Sequence, residues 1–308
     1  GYRVRSHCEL RLPQPVTTGG QPDLTIVRRQ VRVLPPVTSD RWKSLYVSPF
    51  RMHGRPRVTL RSFGRRLLLE VVGVGLFVIG DRSIHFYSDI EGGEYLAEKV
   101  ILGTVLTVWL EQRGHIVLHA ASVIDDTGGA IAFCGDSGAG KSTTARSFTA
   151  RGYKLVTDDL LVIGADESGY SCRPGVPYIS LTPVTHDWFS KQLDLSLLDG
   201  LDDAPKRYSK AERIEDSQQP PLKSIFILNR NSEVERCAYE RLRPAAALIE
   251  MLKFGFAAVL MQNVDPGGRL RRYGDLVSTV PVYRLDVPDD MDRIDELERV
   301  VRTNARCG

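Results

Sequence analysis

The nine residues Gly135–Thr143, GDSGAGKST, constrain this chain more than any other stretch. The first eight fit G-x-x-x-x-G-K-[ST], a loop whose backbone N–H groups wrap around the phosphates of a nucleotide. Such a loop needs a strand running into it and a helix leaving it. Both are legible here, with the apolar run AIAFC before it and Lys141–Ala150 after it as a helix ended by Gly152. Position assigns the roles. Gly135, Gly138 and Gly140 let the backbone approach oxygen atoms, while Asp136, Ser137, Ala139 and Thr143 complete the nucleotide-binding stretch. Lys141 reaches the β- and γ-phosphates, and Ser142 offers its hydroxyl to Mg²⁺. The helix N-terminus beneath adds partial positive charge.

The run YKLVT reads as a buried strand ending in Asp158 and Asp159, the first of them seventeen residues beyond Lys141. Strand, glycine loop, helix and strand together make an α/β phosphate-binding unit. Phosphoryl transfer needs one acid to help hold Mg²⁺ and another to orient or deprotonate the attacking hydroxyl. Adjacent acids on an extended strand point to opposite sides, so one can face the metal and the other the acceptor. A turn or helix cap is the alternative use of an Asp-Asp pair. His119, in the apolar run HIVLHAASVI, reads by itself as a core or hairpin residue, and neither it nor His115 has metal-ligand company nearby in the sequence. Lys206 and Arg207 could contact phosphate as mobile cations or simply belong to a basic surface loop.

The rest of the chain organises around this unit. Residues 1–93 read as a small β-rich domain, with DLTIVRRQVRV, RPRVTLRSF, RRLLLEVVGVG, LFVIG and SIHFYS as strands and Gly80-Asp81 as a hairpin turn. Residues 94–114 read as a bridging helix whose apolar stripe is Leu96, Val100, Thr104 or Val105, and Val108, with Gly114 as its stop. Residues 115–308 hold the phosphate-loop domain. It includes a hairpin at DDTGG, an amphipathic helix over about 244–261 and a charged helix beginning near Asp289.

Charge is uneven. Residues 1–70 carry 14 Lys+Arg against 4 Asp+Glu, whereas residues 71–308 carry 27 against 34, beneath a net charge of +3. The basic end can attract an acidic partner, or it can be a solvated arginine face on half-exposed strands. No nucleic-acid motif or interleaved aromatic pattern accompanies it, which argues against nucleic acid as the partner. Five cysteines, Cys8, Cys134, Cys172, Cys237 and Cys307, form no C-x-x-C pair, arguing against a disulfide framework or zinc site and for a reducing cytoplasm. The longest apolar runs are short and carry Glu70, Glu250 and Lys253, so neither an export signal nor a membrane span is expected.

The stretch LHAASVIDDTGGAIAFCGDSGAGKSTTARSFTARGYKLVTDD, residues 118–159, resembles the core of the HPr kinase/phosphorylase family. In that family an LHG-type strand, GDSGxGKS, a short helix, RG and a V-x-DD strand follow in this order. PGVPYISLTP, PKRYS, LKSIFILNR and VPVYRLDVP resemble its divergent HPr-kinase-related members, some of which accompany peptide-modification gene clusters. The resemblance implies a P-loop core of the HPr kinase C-terminal type and an ATP- and Mg²⁺-dependent serine kinase. Its acceptor would be a hydroxyl on a protein, peptide or small molecule, and a homo-oligomer stays open. It also implies that Asp158 is the general base, Asp159 the metal-side acid and His119 a residue beside the transferred phosphate. The family's E-I-R-G-L-G-like signature is absent, since YISLTPVTH offers neither its Glu nor its glycines. A P-loop ATPase acting as a switch is the rival class. The run ILNRN (Ile227 to Asn231) matches the guanine-reading N-K-x-D poorly.

Overall fold

In a computed structural model of the chain, residues 2–8, 10, 20–34, 41–89, 94–193, 195 and 206–305 are described. They form a mixed α/β protein that divides into two compact units: 1–113 with 257–268, and 114–256 with 269–308.

In the first unit, alternating Val, Ile, Leu and Phe between glycine turns produce strands. These are β1 (Val4–Ser6), β2 (Leu24–Gln30), β3 (Lys43–Val47), β4 (Arg51–Met52), β5 (Arg55–Pro56), β6 (Val58–Phe63), β7 (Arg66–Val71), β8 (Gly75–Ile79) and β9 (Ser83–Ser88). Seven of them form one sheet in the order β1-β2-β9-β8-β7-β6-β3, and β4 and β5 pair separately. The turn between β8 and β9 falls at Gly80-Asp81-Arg82, closed by the Gly80 N–H on the Ser83 carbonyl at 2.9 Å. Leu24, Ile26, Leu60, Leu69, Phe77 and Ile84 are fully buried, and Phe77 stacks on Phe86 with centroids 4.5 Å apart.

The helical run that follows is α1 (Glu94–Val100), a π turn over Ile101–Val105 and α2 (Leu106–Glu111). It belongs with the first unit. Its buried stripe is Ala97, Ile101, Val105, Val108 and Trp109, while Leu96 is exposed, so the stripe expected from a uniform 3.6-residue period is shifted. Trp109 donates its indole N–H to the Asp81 carbonyl at 3.0 Å, and Gly114, at φ +84°, ends the run.

The second unit contains β10 (Ile116–His119), β11 (Ala121–Ile124), β12 (Ala130–Cys134), α3 (Lys141–Ala150), β13 (Leu155–Thr157), β14 (Leu160–Asp166), β15 (Gly169–Arg173), β16 (Tyr178–Leu181), α4 (Pro183–Ser190), β17 (Arg207–Lys210), β18 (Leu222–Arg230), β19 (Ala238–Arg241) and α5 (Pro244–Lys253). The chain next passes through α6 (Ala258–Met261), in the segment that belongs with the first unit, and into α7 (Pro266–Thr279). It ends with β20 (Val282–Val287), a short 3₁₀ turn and α8 (Ile294–Ala305). The main sheet runs β13-β11-β12-β18-β20-β19, with β12, β18 and β20 parallel. A three-stranded sheet, β10-β14-β15, and a β16-β17 hairpin complete the unit.

Strand β12 is buried on both faces, as its unbroken apolar run requires. Ala130, Ala132 and Cys134 share one apolar cluster with Met251 of α5 and Tyr273 and Leu276 of α7. Ile131 and Phe133 share another with Ala145 and Phe148 of α3 and Leu297 and Val301 of α8. The helix expected over 244–261 is interrupted because residues 254–256 pair with β10: the His119 N–H reaches the Phe254 carbonyl at 2.8 Å and the Phe256 N–H reaches the Val117 carbonyl at 2.9 Å. Cys8, Cys134, Cys172 and Cys237 are free thiols, whereas Cys307 lies outside the described residues. No helix among the described residues is long and apolar enough to cross a membrane.

The helix beneath the glycine loop is seated through Phe148, whose ring lies 5.6 Å from that of Phe133. Phe148→Ala should therefore cost about 3–5 kcal/mol of stability. A urea titration that leaves the unfolding midpoint unmoved would show that this contact does not anchor the helix.

Candidate active site

The loop geometry follows from where β12 ends. Gly135, at φ +147°, lies so close to β18 that a Cβ on it would sit 2.7 Å from the Leu228 carbonyl oxygen and 2.9 Å from the Ala139 methyl. Gly138 and Gly140, at φ +87° and +97°, have open space around them, so their need for glycine is conformational. Asp136 and Ser137 are exposed at the loop tip, and Thr143 is half-buried in the first turn of α3. The Ala139 N–H closes on the Asp136 carbonyl at 3.1 Å, and the Thr144 N–H on the Gly140 carbonyl at 2.8 Å. Lys141 folds back over the loop, donating from Nζ to the Gly135 and Asp136 carbonyls at 2.8 and 3.0 Å. Burial lowers its pKa below the ordinary lysine value, and the charges of Cys134, Asp159 and Asp158 partly oppose this.

The two acids do not alternate along a strand, as the sequence suggested. β13 stops at Thr157 and β14, in a different sheet, starts at Leu160, so Asp158 and Asp159 occupy the sharp junction between sheets. Asp159 has φ +88°, a backbone region uncommon for any residue but glycine. The junction separates the side chains. Asp158 is only 5% exposed, and its two oxygens are occupied: Oδ1 accepts from the Ser142 hydroxyl at 2.8 Å and Oδ2 from the Ser180 N–H at 2.9 Å. The Asp159 side chain is 57% exposed, and its Oδ1 lies 3.1 Å from Nδ1 of His119. Ser142, the residue placed by its motif at the metal, thus hydrogen-bonds Asp158 rather than Asp159.

Burial pushes the Asp158 carboxyl up to about 6, against the hydrogen bonds from Ser180 and Ser142. Burial likewise holds the His119 imidazole below its ordinary value, with the Asp159 charge opposing. His119 ends β10, held by the Phe254 carbonyl and packed 5.7 Å from the Phe256 ring. Of the two cations in PKRYS, Arg207 pairs with Asp187 and lies 3.4 Å from the His186 ring, whereas Lys206 is exposed and its charge acts on His119, Lys141 and Asp158.

Two contributors were not legible in the sequence. Ser180 lies 22 residues beyond Asp158, on a strand whose pairing no local pattern announces. Arg146, in the α3 helix, is 5% exposed, bonded to the Ser209 hydroxyl and, at 3.1 Å, to the Lys210 carbonyl. No group of three or more His, Cys, Asp or Glu suited to a metal comes together among the described residues. Mg²⁺ does not need one, because it is commonly held by one or two carboxylates together with substrate phosphates and water. The paired hard oxygens of Ser142 and Asp158 beside the phosphate loop fit that use.

No protein-family model matches the chain, and no curated protein does. Among solved structures, the HPr(Ser) kinase/phosphatase from Coxiella burnetii aligns over 62% of this chain and 97% of its own, with 13% identity and a TM-score of 0.33. That likeness falls short of establishing a shared fold.

The Asp158 environment has a measurable consequence. Its folded pKa of about 6 lies above the ordinary 3.8, so between these values the folded chain keeps a proton that the unfolded chain releases. The stability this group contributes is present below pH 3.8 and lost as pH rises through about 6, leaving an ionised carboxylate that costs on the order of 3 kcal/mol. With EDTA present, Asp158→Asn should thus stabilise the protein at about pH 7.5 and change it little near pH 4. Equal urea midpoints for the variant and the parent at the higher pH would refute the desolvated-carboxylate account.

Proposed function

We propose that this chain is an ATP- and Mg²⁺-dependent phosphotransferase that moves the γ-phosphoryl group to a serine-type hydroxyl of a protein or peptide, with a P-loop core of the HPr kinase type. The observation that carries the reading is the division of labour between adjacent carboxylates. Asp158 is buried against the P-loop serine, and Asp159 is open to solvent beside His119. A loop built only to hold a nucleotide has no need of a second, accessible acid.

The roles follow from the environments. Lys141 and the loop N–H groups bind the ATP phosphates, and Ser142 and Asp158 would hold Mg²⁺, which when bound neutralises phosphate charge. Asp159 accepts the acceptor hydroxyl's proton as that oxygen forms its bond to the γ-phosphorus. The bond from phosphorus to the β–γ bridging oxygen breaks, and its electron pair leaves with ADP. His119, 3.1 Å from the Asp159 carboxylate, orients it and stabilises its charge. This exchanges the two aspartate roles that the family resemblance implies. The preference for ATP is supported by the absence of a guanine-reading motif: Asn229 of ILNRN is engaged with Asp286 at 2.6 Å.

With γ-labelled ATP and peptide, protein or metabolite acceptors, Lys141→Ala and Ser142→Ala should each lower labelling by orders of magnitude. Asp159→Asn should lower transfer by roughly 10²- to 10⁴-fold while nucleotide binding persists. Asp158→Asn should chiefly raise the Mg²⁺ requirement. Loss of transfer confined to Asp158→Asn at saturating Mg²⁺ would restore the reverse assignment. Steady phosphate release with no labelled acceptor would replace the kinase reading by the ATPase one.

A further inference from the structure

Arg146 is a buried guanidinium. It lies on the inner side of α3, 5% exposed, and its Nε has no hydrogen-bond partner among the described residues. Its bonds go to neutral acceptors on one strand, the Ser209 hydroxyl and the Lys210 carbonyl of β17. Burial disfavours the charged guanidinium and the charge of Asp158 partly offsets this, so the cation is coupled to the site acid as well as bonded to β17.

The partner strand explains the expense. Ser209 is fully buried and lies opposite Ile179, and the next pair in the hairpin, Ser180 with Tyr208, brings Ser180 into place. Ser180 supplies the N–H that holds Asp158 Oδ2 at 2.9 Å, with its hydroxyl at 3.4 Å. The other Asp158 oxygen is held by Ser142, which, like Arg146, stands on α3. The two ends of α3's polar reach therefore meet through one loop of contacts: α3 to β17 through Arg146, β17 to β16 by pairing, β16 to Asp158 through Ser180, and Asp158 back to α3 through Ser142.

We propose that Arg146 is a positioning residue that fastens the β16–β17 hairpin to the phosphate-loop helix and so fixes Ser180 against Asp158. The inference rests on the reading of Asp158 as the metal-side acid. The hairpin has other attachments. Ile179 and Leu181 lie in the apolar cluster of Ala145 and Phe148, and the Leu155 N–H and carbonyl bond residues 212 and 214 just beyond β17. Loss of Arg146 therefore loosens the hairpin's polar register without detaching it.

Two measurements on the full chain test this, amide hydrogen exchange without nucleotide and Mg²⁺ titration of binding to a fluorescent ATP analogue. In Arg146→Met, the Ser180 amide should exchange about 10-fold faster or more while β12 amides keep their protection, and the Mg²⁺ half-saturation should rise about 10-fold, as expected for losing a charge-assisted hydrogen bond. Arg146→Lys, which restores the charge with a poorer fork of donors, should recover part of both effects. Unchanged Ser180 exchange and Mg²⁺ half-saturation in folded Arg146→Met would overturn the proposal. Should Arg146→Met not fold, Ser209→Ala decides: it should shift both readouts in the same direction by about 3-fold, and no shift overturns the proposal. If the parent protein fails to bind the analogue at all, the phosphate-loop reading has failed, and Ser180 exchange alone still decides whether Arg146 positions it.

Discussion

The buried Asp158 carboxylate is the group on which the rest of the site depends. It sits where two sheets meet, and both of its oxygens are spoken for, by Ser142 from the helix after the glycine loop and by Ser180 from the hairpin alongside. Ionised and without a cation, such a group is disfavoured by its desolvation more than two hydrogen bonds repair, which is why its pKa is raised. In the proposed reading, that imbalance is what a bound cation would relieve. The same hydrogen bonds that make a poor home for the bare carboxylate hold its oxygens ready for a hard cation.

Asp158 can be placed so deeply only because the backbone turns sharply after it. Thr157 closes the bend with its hydroxyl on the Leu160 carbonyl at 3.0 Å, and the Ala120 N–H takes the Asp159 carbonyl at 3.2 Å. Asp159 is left at a positive φ with its side chain in solvent. Strain of this kind costs about 1–3 kcal/mol and persists where surrounding contacts over-determine it. Here the surroundings are β10, β13 and β14, so Asp159 is held among three strands rather than on a free loop.

How much of this could be read in advance depends on how local each determinant is. The glycine loop was legible because its requirements lie within nine residues, and the flanking strand and helix follow from adjoining runs of apolar residues. The Asp-Asp pair was legible as chemistry but not as geometry. Whether neighbouring residues alternate along a strand or break across a corner depends on where the next strand pairs, and β14 pairs with β10, more than forty residues back in the chain. Helix 244–261 failed for the same reason, since an amphipathic pattern cannot reveal that residues 254–256 are claimed by β10. Arg146 and Ser180 carry no local signal at all. Their roles exist only once the β16–β17 hairpin has folded against α3.

The claim of β10 on residues 254–256 links the surroundings of His119 and Asp159 to the chain path. Strand β10 carries His119 at its end, and it is flanked on one side by β14, with His119 opposite Leu160, and on the other by the Leu118–Gly255 bridge. The backbone N–H of His119 is fixed to the Phe254 carbonyl, and its imidazole ring lies against Phe256 with Nδ1 3.1 Å from Asp159 Oδ1. Directly after Phe256 the chain leaves the second unit, to return at Arg269. The bridged segment before that exit walls the histidine. The residues at which the expected helix breaks are therefore the ones that flank His119, whose imidazole faces Asp159.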